Sequence, residues 1–121
     1  MLDRNGYAPS IVEGWRDETE YTVRHEVYGG KNRQISKANG FWVAVSPMLH
    51  EMIHRNPNKG LDSFLKQYTQ RIFERYATRN EFIKLIGKSY LTEPESQYKW
   101  SDIEPRCGAE RMWSVENGAG L

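Results

Sequence analysis

The chain has 121 residues, 38% of them hydrophobic and 12% aromatic, enough for one globular domain with a modest core and too apolar for a disordered segment. No apolar run reaches the ~20 residues that cross a bilayer, and Met1-Leu2-Asp3-Arg4-Asn5-Gly6 lacks a signal-peptide core, so the expectation is a cytoplasmic protein with no membrane partner. The single cysteine, Cys107, excludes an internal disulfide and a cysteine-rich zinc site.

The net charge of +1 hides a pattern. Residues 1–23 and 92–121 each sum to −3, whereas residues 24–91 sum to +7. A basic middle suits a phosphate backbone, although lysine and arginine also decorate ordinary solvated faces.

Residues 1–20 lack periodicity and contain Gly6, Pro9 and Gly14, which predicts an irregular segment. Tyr21 to Tyr28 is rich in β-branched and aromatic residues and predicts a strand, broken at Gly29-Gly30. Lys31 to Lys37 is polar and basic and predicts a long turn ending at Asn39-Gly40. Phe41-Trp42-Val43-Ala44-Val45 is apolar throughout, the pattern of a strand buried on both faces. Ser46-Pro47 is an N-cap followed by a first-turn proline. The helix it opens runs to about Arg55, stopped by Asn56-Pro57-Asn58-Lys59-Gly60. Asp62 or Ser63 caps a longer helix reaching about Ala77, with Leu61, Phe64, Leu65, Tyr68, Ile72 and Tyr76 at core-facing spacing. Thr78-Arg79-Asn80-Glu81 has the form of a capping box, and Gly87 closes the helix it opens. Residues 92–121 read as a loosely ordered acidic tail anchored by Trp100 and Trp113. Residues 1–91 form the domain and 92–121 the tail; the fold class is α+β.

The three histidines, His25, His50 and His54, carry the chemistry. His50 and His54 are one helical turn apart, so both imidazoles leave one face of the helix and can share a divalent ion. With a strand histidine upstream, the set points to a metal-dependent hydrolase. His50-Glu51-Met52-Ile53-His54 also matches the H-E-x-x-H motif of zinc proteases, in which the glutamate activates water. That motif has few fixed positions, and here prolines bracket the helix closely. The protease is therefore the third reading.

Strand, long turn, strand and short helix is the order of a ββα-metal unit. Arg24-His25-Glu26-Val27-Tyr28-Gly29-Gly30-Lys31-Asn32-Arg33, then Ser36, Gly40, Pro47, His50 and His54, and finally Ile86-Gly87-Lys88-Ser89-Tyr90-Leu91, resemble the small phage and prophage HNH-type nucleases. The likeness covers about residues 21–91. It implies a ββα-metal hairpin plus short helix, followed by two further helices. It also implies a metal-dependent endonuclease that hydrolyses DNA phosphodiesters, with a divalent cofactor (Mg²⁺, Mn²⁺, Ni²⁺ or Zn²⁺) and, for a phage product, a place in the host cytoplasm. By resemblance, His25 is the general base, suited by an ordinary pKa of about 6.5, and His50 and His54 hold the metal. Arg24, Lys31, Arg33 and Lys37 grip phosphates, and Asn32 or Asn39 orients the loop or the base histidine.

Two departures stand out. The C-x-x-C pairs of many relatives fall at Ser10 to Glu13 and Ser46 to Leu49, with no cysteine, so core packing must replace a structural zinc. Arg24 occupies the place before the base histidine where relatives carry a ligand, and a guanidinium cannot ligate a cation. That substitution motivates the second reading, an HNH-fold protein of weak or no catalysis that binds nucleic acid or protein as an inhibitor, with the acidic tail as a possible protein contact.

Overall fold

The computed structural model describes residues 2–12, 21–55 and 60–92. Within them the fold is α+β: a two-stranded antiparallel sheet and four helices, in the order β1 (Val23–Glu26), a 3₁₀ turn (Gly30–Asn32), α1 (Arg33–Asn39), β2 (Trp42–Val45), α2 (Pro47–Arg55), α3 (Leu61–Phe73) and α4 (Arg79–Ile86). The expected tail, with Cys107, Trp100 and Trp113, lies outside the described residues apart from Thr92. No helix among the described residues is long and apolar enough to cross a membrane.

The strands pair with Val23 opposite Val45, Arg24 opposite Ala44, His25 opposite Val43 and Glu26 opposite Trp42. Every residue of β2 is buried, as its apolar run predicts. Val43 and Val45 enter the main core with Leu49 and Ile53 of α2, Leu65 of α3 and Phe82 of α4. The other face is closed by residues 2–12. The Trp42 indole donates to the Ala8 carbonyl at 2.7 Å, and Ser10 Oγ donates to the Trp42 carbonyl at 2.5 Å. Val12 and Leu49 are both buried in the core.

The basic stretch expected as a long turn is instead a 3₁₀ turn running into α1. Asn39-Gly40 is the helix's end: Gly40 takes the left-handed conformation at φ 75° and its N–H caps onto the Ser36 carbonyl. A β-carbon there would lie 2.1 Å from the Pro9 carbonyl oxygen, so glycine is also required by the close approach of the N-terminal segment. Buried Ser36 ties α1 to the end of β1, donating to the Tyr28 carbonyl at 2.7 Å and accepting from the Tyr28 N–H at 3.1 Å.

α2 has the expected bounds, and Ser46 Oγ accepts from the Leu49 N–H at 3.1 Å, as an N-cap does. The Thr78–Glu81 capping box is present in both directions. α3 differs at both ends. It begins at Leu61 after Gly60, and it ends at Phe73 because the chain tightens into i→i+3 bonds from Arg75 to Ile72 and from Tyr76 to Phe73. Tyr76, expected on the core stripe, is exposed.

Candidate metal centre

The position of α2 follows from its sequence. Leu49 and Ile53 are one turn apart and both are buried, which fixes the helix's inward face. His50 and His54 each follow by one residue, about 100° further round the helix, and stand at the rim of that face. Met48, Glu51, Met52 and Arg55 are exposed. On β1, side chains alternate: His25 points inward toward α2, while Arg24 and Glu26 point to the side covered by the N-terminal segment.

The three imidazoles meet. One nitrogen from each of His25, His50 and His54 lies within 4.8 Å of the other two. Ring centroids are 5.3 Å apart from His25 to either partner and 4.4 Å apart between His50 and His54. The His50 and His54 Nε2 atoms are 2.9 Å apart. Two such nitrogens are held together by a hydrogen bond, in which one ring's Nε2–H donates to the bare Nε2 of the other, or by a cation that both rings share. His25 is 4% exposed, and its buried Nε2 has no hydrogen-bond partner among the described residues.

That orphaned nitrogen tests the fit to a metal. A buried polar atom without a partner costs about 1–3 kcal/mol, and a cation bound by that nitrogen removes the cost. Nitrogens bound tetrahedrally at about 2.1 Å lie roughly 3.4 Å apart, so the set closes on an ion with side-chain shifts of about an ångström. The electrostatics agree. Burial, then the neighbouring His50, His54 and Lys66, lowers the His25 pKa to about 3. Burial and His54 lower that of His50, against the opposing charge of Glu26. Both rings are thus neutral at pH 7, the state a ligand requires.

The cluster opens into a cleft of about 370 Å³ lined by Tyr7, Arg24, His25, Glu26, Gly29, Gly30, Arg33, His50 and His54. Tyr7 Oη donates to Glu26 Oε2 at 2.6 Å, and Arg33 Nε donates to Glu26 Oε1 at 2.7 Å. Burial, with the Glu26 carboxylate beside it, pushes the Tyr7 hydroxyl up to about 12.

The expected phosphate contacts fall into two groups. Arg24 and Arg33 line the cleft. Arg24 pairs with Asp3 at 2.6 Å and lies over the rings of Tyr7 and Trp42 at 4.4 and 4.6 Å. Lys31, Asn32 and Lys37 do not line it: Lys31 is exposed on the 3₁₀ turn, and Lys37 Nζ sits 4.9 Å from the Tyr7 ring centroid. Asn32 donates to the Ile86 carbonyl at 2.9 Å and Asn39 to the Ile35 carbonyl at 2.8 Å, so each amide ties backbone together. Glu51, the base of the protease reading, is outside the cleft lining and pairs with Arg55. Sequence reasoning missed Tyr7 and Glu26. Glu26 had a signal: it is the only acidic residue between Glu20 and Glu51.

No protein-family model matches this chain, and neither curated proteins nor solved structures yield a match.

Proposed function

We propose that this protein is a metal-dependent phosphodiesterase of the HNH type, acting on nucleic acid, with His25, His50 and His54 as the three protein ligands of one divalent ion. The observation that carries the reading is the convergence of three imidazoles, one nitrogen of each within 4.8 Å of the other two, on a buried His25 whose Nε2 has no hydrogen-bond partner among the described residues. The reading moves His25 from base to ligand. It also relieves the difficulty of Arg24, because the place before His25 no longer has to supply a ligand. Three imidazoles favour a first-row transition ion such as Zn²⁺, Ni²⁺ or Mn²⁺ over Mg²⁺, which prefers oxygen. A divalent ion held there would supply neutralisation of the charge growing on the phosphate oxygens and support for the leaving oxygen. Arg33 at the cleft mouth binds and orients the phosphate, and the N-terminal segment, through Tyr7, walls one side.

The test is calorimetric titration with Zn²⁺ and Mn²⁺, paired with cleavage of plasmid DNA. The parent should bind one ion and nick the plasmid, and His54→Ala should do neither. One ion bound with no cleavage of DNA or RNA moves the protein to the binding-module reading. Casein cleavage that depends on Glu51 moves it to the protease. Equal ion binding by parent and variant ends the metal centre.

A further inference from the structure

We propose that Glu26 is the group that takes the proton from the attacking water, with Tyr7 and Arg33 as the positioning residues that aim its carboxylate. The inference rests on the nuclease reading and fills the role left open once His25 is a ligand. Glu26 is the one carboxylate among the described residues that line the cleft. It closes β1 directly after His25, at the last position of the strand pairing. The alternation of a strand therefore sends His25 to the metal side and Glu26 to the adjoining wall, both opening on one cleft.

The carboxylate is built into place. Its side chain is 13% exposed, with Tyr7 Oη on one oxygen and Arg33 Nε on the other. Each oxygen retains a second acceptor direction, so a water in the cleft can be held without breaking either bond. A carboxylate wanted only to anchor Arg33 would not need a second, tyrosine donor from a segment 19 residues away. Fixing both oxygens sets the plane of the group, which is what a proton acceptor needs. In the step, the water oxygen bonds to phosphorus and its proton passes to Glu26. The P–O bond to the leaving alkoxide breaks, the alkoxide takes a proton from solvent, and Glu26 returns its proton to solvent. Water and a phosphodiester become a phosphomonoester and an alcohol.

The experiment compares full-length parent, Glu26→Gln and Tyr7→Phe, each loaded with Mn²⁺, on plasmid DNA and on bis(p-nitrophenyl) phosphate. Calorimetry reads Mn²⁺ affinity and circular dichroism the fold. Glu26→Gln should bind Mn²⁺ within about twofold of the parent and lose about 100-fold or more in kcat, the scale of a lost general base. The loss should persist on bis(p-nitrophenyl) phosphate, whose leaving group needs no proton, because a base acts on the nucleophile. Tyr7→Phe keeps the carboxylate and loses one aiming bond. It should lose several-fold in kcat with KM unchanged, and it carries the test if the glutamine variant melts early. Glu26→Gln cleaving within about threefold of the parent, or a loss that vanishes on the activated substrate, overturns the assignment while leaving the nuclease intact. A parent that neither binds Mn²⁺ nor cleaves overturns the nuclease reading, and the assignment falls with it.

Discussion

The two sides of β1 make opposite use of polar side chains. On the outer side Arg24 and Glu26 both have partners. Arg24 has Asp3 and two aromatic rings, and Glu26 has Tyr7 and Arg33. On the inner side His25 is more deeply buried, and its Nε2 has no hydrogen-bond partner among the described residues. Adjacent residues of one short strand thus differ in whether the fold satisfies them. A buried group without a partner among the described residues has room for a ligand, and two further imidazoles stand beside the His25 ring.

The largest expected effect separates the two sides directly. His25→Ala should weaken Zn²⁺ binding by more than the roughly 10–100-fold that loss of an outer-shell partner costs. Arg24→Ala, one residue earlier, should leave Zn²⁺ affinity within about twofold. Calorimetry on both variants reads the contrast. Equal losses would mean that the centre depends on the strand as a whole and not on the inner side.

The sequence revealed some parts of this arrangement and not others, for physical reasons. Local signals were legible: the Ser46-Pro47 start of α2, the Thr78–Glu81 box and the Gly87 stop are all present where expected. The one-turn spacing of His50 and His54 was equally local. α1 was hidden because its inward residues are mostly polar, with Ser36, Lys37 and Asn39 beside a single apolar Ile35, so the run gave no helical stripe; its real signal was Gly40, read as a turn and not as a cap. The early end of α3 was hidden because Tyr76 fits the stripe on spacing alone. The convergence of His25 with α2, and the placing of Tyr7 against Glu26, depend on tertiary packing over 19 residues or more and have no local signature.

The next effect strikes the outer side. Gly40→Ala forces a left-handed φ of 75° on an L side chain and drives its β-carbon into the Pro9 carbonyl. The N-terminal segment must move, and the loss should be about 3 kcal/mol, from strain and lost packing together. Chemical denaturation measures it. A loss under about 1 kcal/mol would show that residues 2–12 can shift cheaply and do not hold the cleft wall.

A pH series tests the inner side. The folded-state pKa of His25, about 3, lies below its ordinary value of 6.5. Between those values the unfolded chain binds a proton that the folded chain refuses. The stability from a neutral His25 is complete above pH 6.5 and drains away as pH falls toward 3. At pH 5 the metal-free protein should be about 2 kcal/mol less stable than at pH 7 on this account. Urea unfolding with a chelator present measures it, and His25→Leu should flatten most of the difference. An unchanged slope in that variant would assign the acid sensitivity to other groups.

The smallest stability effect belongs to Arg33, and its smallness sharpens the contrast. Its side chain is 61% exposed, so the ion pair with Glu26 is screened by solvent and Arg33→Ala should cost under about 1 kcal/mol. Its effect on nucleic-acid binding should be larger than its effect on folding. A guanidinium at a cleft mouth that orients phosphate contributes the same contact to every sequence. Removing it should weaken binding about equally across duplexes and reduce the log–log salt slope by about 0.9. Fluorescence anisotropy across a salt series reads both quantities, and thermal melting reads the first. Arg24→Ala is the matched control, since its guanidinium already lies against two rings and Asp3. It should cost more stability than Arg33→Ala and change the slope less. The reverse ranking would mean that Arg24 leaves its rings to meet phosphate, and that the outer side of β1 is itself a binding surface.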